Sequence, residues 1–139
     1  FNHSLDYLPG ALSGLTVRGS YTHTKPEIPI AGSAENFAVL ALAYKRGPLS
    51  LNLNTAWTGE KLNSVTTGSF IEPRLSADLS GAVRLRPNWS LFFSLRNLLD
   101  EPTNIVLPGV QTSNGYIPDH AGDFREYGRS ATIGLRAVF

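Results

Sequence analysis

The segment Arg74-Leu75-Ser76-Ala77-Asp78-Leu79-Ser80-Gly81-Ala82-Val83-Arg84-Leu85-Arg86 alternates without a break. Leu75, Ala77, Leu79, Gly81, Val83 and Leu85 fall on one side. Arg74, Ser76, Asp78, Ser80, Ala82, Arg84 and Arg86 fall on the other. Successive side chains of a β-strand point to opposite faces, so this period of two describes a long strand with one apolar face and one polar face.

The same reading extends outward in both directions. Leu15, Val17, Gly19 and Tyr21 oppose Thr16, Arg18, Ser20 and Thr22; Leu49, Leu51, Leu53 and Trp57 oppose Ser50, Asn52, Asn54 and Thr58. Trp89, Leu91, Phe93 and Leu95 oppose Ser90, Ser94 and Arg96, with Phe92 breaking the rule. Ala131, Ile133, Leu135, Ala137 and Phe139 oppose Ser130, Thr132, Gly134 and Arg136. In the more uniformly apolar stretch 37–46, Leu40, Leu42 and Tyr44 are assigned to the apolar side. Leu5 and Tyr7 alternate with Ser4 and Asp6 near the start. Helical periodicity is poor throughout. The expectation is an all-β chain of about seven antiparallel strands.

Composition narrows the function classes. Of 139 residues, 12 are Lys or Arg and 11 are Asp or Glu, and a net charge of +1 lacks the basic field of a nucleic-acid binder. Charged residues make up 17%, below the roughly 25% of an ordinary soluble domain. There is no cysteine, hence no disulfide, thiolate metal site or cysteine nucleophile. No run reaches the ~18 apolar residues of a membrane helix. Methionine is also absent and the chain opens at Phe1 within alternating sequence, so residues 1–139 are expected to be one piece of a longer protein.

The connections alternate in length. Residues 9–13, Gly47-Pro48 and Pro87-Asn88 are short and turn-forming; residues 25–36, 59–72 and 97–126 are long. In an up-and-down meander every second connection lies at the same end, so short turns gather at one rim and long loops at the other. Such a layout, with strands of about ten residues, describes a transmembrane β-barrel. The ten steps from Arg129 to Phe139 span about 33 Å, and a ~40° tilt reduces this to a height near 25 Å, the thickness of the apolar band. Aromatic residues border both ends, with Tyr21, Trp57 and Tyr127 by the long loops and Tyr7, Tyr44, Trp89 and Phe139 by the short turns. A soluble barrel or sandwich alternates as well, with its apolar face turned inward, and a period of two by itself does not separate the two.

The segment Leu91-Phe92-Phe93-Ser94-Leu95-Arg96-Asn97-Leu98-Leu99-Asp100 resembles the penultimate strand and following loop of TonB-dependent outer-membrane receptors. Tyr127-Gly128-Arg129-Ser130-Ala131-Thr132-Ile133-Gly134-Leu135-Arg136-Ala137-Val138-Phe139 is similar to the closing strand of that family, which ends on an aromatic residue. Leu8-Pro9-Gly10, Gly14-Leu15 and Tyr21-Thr22-His23-Thr24 resemble a periplasmic turn and the strand rising from it. The resemblance implies that residues 1–139 are the C-terminal segment of a barrel of about 22 strands, without its plug domain. It implies TonB-dependent uptake of a scarce ligand such as a siderophore or cobalamin across a Gram-negative outer membrane. The implied partners are outer-membrane lipid, the rest of the barrel and its plug, TonB through the absent N-terminal region, the outer-membrane insertion machinery and a small-molecule ligand. Nucleic acid is not among them. A passive porin-like or small structural barrel and a soluble ligand-binding barrel are the alternatives.

Within this frame, Ile133, Leu135, Ala137 and Phe139 resemble the assembly signal read by the insertion machinery. Arg18, Arg74, Arg84, Arg86, Arg96 and Arg136 are assigned to the barrel lumen, where they either attract an anionic ligand or pair with a plug domain or with lumen carboxylates such as Asp78. The longest loop carries Asn114, Tyr116, Asp119, His120 and Arg125 as ligand-binding candidates. Asp119, His120 and Asp123 have metal-ligand chemistry, but lie in a polar loop where solvation is the ordinary state, and no metal or cofactor is assigned. His3, His23 and His120 sit in separate segments outside any hydrolase motif, and the chain is read as non-enzymatic.

Overall fold

The computed structural model describes residues 1–5, 10, 13–28, 30–101, 103–106, 117–118 and 128–138. Among the described residues there are eleven strands: β1 (Asn2–Ser4), β2 (Leu15–His23), β3 (Asn36–Arg46), β4 (Leu49–Thr58), β5 (Lys61–Ser64), β6 (Ser69–Ile71), β7 (Arg74–Arg86), β8 (Trp89–Arg96), β9 (Asn104–Val106), β10 (Ile117–Pro118) and β11 (Ser130–Ala137). Every pairing is antiparallel. The strands form a seven-stranded sheet in the order β1-β2-β3-β4-β7-β8-β11 and a four-stranded sheet in the order β10-β9-β6-β5. The larger sheet is an up-and-down meander and, among the described residues, does not close on itself.

Directly opposed residues of an antiparallel pair share a face, so the registers read out as rungs. One rung runs Val17, Leu42, Leu53, Leu79, Leu95, Ala131. The next toward the short turns runs Leu15, Tyr44, Leu51, Gly81, Phe93, Ile133, and below it lie Leu49, Val83, Leu91 and Leu135. Toward the long loops come Gly19, Leu40, Thr55 and Ala77, then Tyr21, Ala38, Trp57 and Leu75. The apolar positions expected of each strand therefore meet on one continuous face, Leu40, Leu42 and Tyr44 included.

The opposite face carries many small polar residues, beside Arg18, Phe37, Lys45, Arg74 and Phe92. Its rungs include Thr16, Ala43, Asn52, Ser80, Ser94, Thr132 and Ser20, Val39, Ala56, Ser76.

Two glycines make the close packing possible. A β-carbon at Gly81 would stand 2.7 Å from both Leu51 and Phe93, and one at Gly134 would collide with the ring of Phe92. Leaving these positions bare lets the neighbouring side chains lie flat across the strand.

The sheet is sheared. Leu49, which follows the Gly47-Pro48 turn, pairs with Val83, three residues short of Arg86 and the Pro87-Asn88 turn. One of these three is the extra residue of a register shift between Arg84 and Arg86, which leaves two residues, about 6.7 Å of strand, against about 9.6 Å for two strand spacings, so the strands incline about 35° to the line of turns. The long-loop end steps the same way: β4 and β7 pair up to Thr58–Arg74, whereas β8 ends at Arg96, one residue past the Leu79–Leu95 pair.

The loops depart from expectation. Residues 59–72 contain the hairpin β5–β6, and β6 pairs with β9 from the segment after β8. The long connections thus build a small sheet of their own. The buried side chains gather here and at its junction with the larger sheet: Ser69 at 2%, Ile71 at 6% and Ala77 at 7% exposure.

Candidate functional site

The small sheet and the loop before β3 enclose an open recess of about 450 Å³. Its polar wall is Ser33, Glu35, Asn36 and Glu60; its apolar wall is Pro26, Ile30, Leu62 and Phe70, with Gly68 at the β5–β6 turn. Backbone bonds fasten the loop to the hairpin: the Gly32 amide donates to Leu62 O at 2.7 Å, and Ala34 bridges Lys61. The Thr24 amide bonds Glu35 O and the Gly59 amide bonds Asn36 O, each at 2.8 Å, tying the recess to the top of β2, β3 and β4.

Side chains finish the frame. The Asn36 carboxamide oxygen accepts the Tyr21 hydroxyl at 2.7 Å and stands 2.8 Å from His23 Nδ1. Ser69, almost fully buried, receives Asn63 Nδ2 at 3.0 Å and the Thr67 hydroxyl at 2.9 Å, which locks the hairpin turn. Two carboxylates, an amide and a hydroxyl beside an aromatic ring suit a small molecule with an apolar body and hydrogen-bond donors. No expectation from the sequence named these residues. They come from two loops that meet only after β5 and β6 pair, and three- or four-residue strands are too short to show a period.

The arginines assigned to the polar face separate into different situations. Arg18 donates from Nε to Asn2 Oδ1 at 3.2 Å. Arg74 is half-buried and donates to the Thr103 hydroxyl at 3.3 Å, while the neighbouring Leu75 amide bonds Glu101 at 2.6 Å, so this arginine serves the junction with the loop after β8. Arg84 and Arg136 both oppose Ser90, and Arg96 opposes Ser130.

Arg86 departs from the alternation. The register slips between Arg84 and Arg86, so that Arg86 pairs with Trp89, whose other neighbour is Ala137 on the apolar face. A bulge places an extra residue in one strand and re-aims the side chains beyond it, and here it carries Arg86 off the polar face.

Asp78, a potential arginine partner, instead accepts the Asn97 amide at 2.9 Å, beside a Leu98 amide bond to Ala77 O. Asn97 and Asp100 both adopt positive φ, 54° and 50°, the left-handed conformation that Asn and Asp tolerate best among residues with a β-carbon. The Asn97-Leu98-Leu99-Asp100 stretch is therefore the device that turns the chain out of β8.

Ile133 and Leu135 lie on the apolar face at 74% and 55% exposure, with Ala137 one rung beyond. Phe139 lies outside the described residues, as do Asn114, Tyr116, Asp119, His120, Asp123 and Arg125 and the bordering aromatics Tyr7 and Tyr127. Among the described residues no three of His, Asp and Glu come together in a metal-binding group. Comparison with models of protein families, with curated proteins and with solved structures finds no match.

Proposed function

We propose that this chain is part of the wall of a large outer-membrane β-barrel of the TonB-dependent receptor type, with the long-loop end facing outward and taking part in ligand capture. The observation that carries the reading is the continuous apolar face of the seven-stranded sheet. At about 4.8 by 6.7 Å per residue, its rungs cover roughly 850 Å², more than the few hundred Å² that soluble monomers expose. No second layer covers it among the described residues, and Leu40, Leu75, Ile133 and Leu135 are all exposed. Lipid is the partner that such a face fits. The inclination of about 35° agrees with that of strands in membrane barrels.

The recess between the loops supports capture of a small molecule at the outer surface, and the small residues of the other face leave room for a plug. Transport then belongs to the whole barrel, since open strand edges cannot face lipid. No catalytic or cofactor role is part of this proposal.

The test is made on the full-length protein that carries these strands. Detergent must be needed to extract it from membranes, and in a planar bilayer it must pass almost no ions until the plug is removed. Steady conductance by the intact protein would assign a passive pore instead. Recovery in the detergent-free fraction would assign a soluble barrel.

A further inference from the structure

The apolar face is bordered differently at its two ends. Among the described residues the short-turn end carries Lys45, Arg46, Arg84, Arg86 and Arg136 and no carboxylate. Asp78 lies mid-strand, and the other described carboxylates lie toward the long loops. Two of the cations stand on the apolar face itself. Arg46 ends the rung of Leu49, Val83, Leu91 and Leu135, and the bulge in β7 brings Arg86 into the rung of Trp89 and Ala137. Leu85, Arg86 and Trp89 together line an open recess of about 310 Å³.

These three side chains form a graded surface. The guanidinium offers a planar fork of donors that matches phosphate oxygens. The indole is amphipathic and favours the level of lipid headgroups. Leu85 continues the apolar face on which an acyl chain would lie. Resting on the membrane-wall reading above, we infer that Leu85, Arg86 and Trp89 form a headgroup site for an anionic glycerophospholipid in the leaflet at the short-turn end. Its phosphate lies on Arg86 and its first acyl carbons lie on Trp89 and Leu85. The surplus of cations along this rim selects a headgroup of net negative charge over a zwitterionic one. Free phosphate lacks the apolar anchor and does not compete.

The experiment reconstitutes the full-length protein into vesicles of phosphatidylcholine containing phosphatidylglycerol, extracts it gently and counts the retained phospholipid by native mass spectrometry. The wild type is expected to retain phosphatidylglycerol in preference to phosphatidylcholine. Arg86→Gln should lower that retention about fivefold, Arg86→Lys should fall between, and Arg18→Gln, on the polar face away from this rim, should leave it unchanged. Millimolar inorganic phosphate should displace none of it. Equal retention by the wild type and Arg86→Gln, both inserted in the bilayer, overturns the site and leaves the wall reading intact; so does displacement by phosphate. Failure of the wild type to insert overturns both.

Discussion

The ring of Phe92 lies over Gly134 on the neighbouring strand, filling the place where a side chain would stand. Phe92 is the residue that breaks the alternation of β8, a large aromatic on the polar face. Its partner strand accommodates it by presenting glycine, and Ala82 on the other side is small as well. Gly134→Val is therefore expected to destabilise the sheet by about 1–3 kcal/mol, the ordinary cost of overpacking. Adding Phe92→Ala should recover most of that loss, because the collision is with this ring. Urea unfolding of the two single variants and the double variant measures the coupling.

A charge on each face distinguishes them. Leu53 lies in the middle of the apolar face and Asn54, the next residue, on the polar face. Leu53→Arg should weaken bilayer insertion by about 2–4 kcal/mol, whereas Asn54→Arg should insert nearly as well as the wild type. Partitioning between vesicles and urea reads both. Equal behaviour of the two variants would argue that the apolar face does not meet lipid.

Asp78 holds the end of β8. Its carboxylate accepts the Asn97 amide where the chain turns out of the sheet at positive φ. Asp78→Ala should cost about 1 kcal/mol, the ordinary net worth of a solvent-exposed hydrogen bond. The loss should be local. Faster hydrogen exchange is expected at the Asn97 and Leu98 amides, with the amides at the centre of β4 unaffected.

Ser69 anchors the β5–β6 hairpin from a buried position. Ser69→Ala removes the hydroxyl that Asn63 and Thr67 share and should destabilise this small sheet by about 1 kcal/mol. Exchange at the Phe70 and Ile71 amides is the readout. Because Phe70 and Leu62 line the recess, the same substitution should weaken any small molecule held there.

Much of the larger sheet was legible from residue order. A period of two has one physical cause, the alternation of side chains along an extended chain, and each long strand is long enough to display it. Even stretch 37–46, nearly all apolar, could be assigned through Leu40, Leu42 and Tyr44. The recess was not legible. Glu35 and Glu60 sit in separate loops, and the β5–β6 pairing that brings those loops together rests on strands of four and three residues. Nor could a pattern of strict alternation show where it fails: Arg86 continues the polar series in sequence, yet the register slip after Arg84 sets it beside Trp89.

Residue order by itself determined which side chains share a face, where the turns fall and that the strands run up and down, because these depend on neighbours one, two or a few positions apart. Tertiary structure alone decided the shear of the sheet, the pairing of the loops, the covering of Gly134 by Phe92 and the face on which Arg86 stands. Each of these is a matter of register between strands, set by hydrogen bonds and packing between residues far apart in the chain.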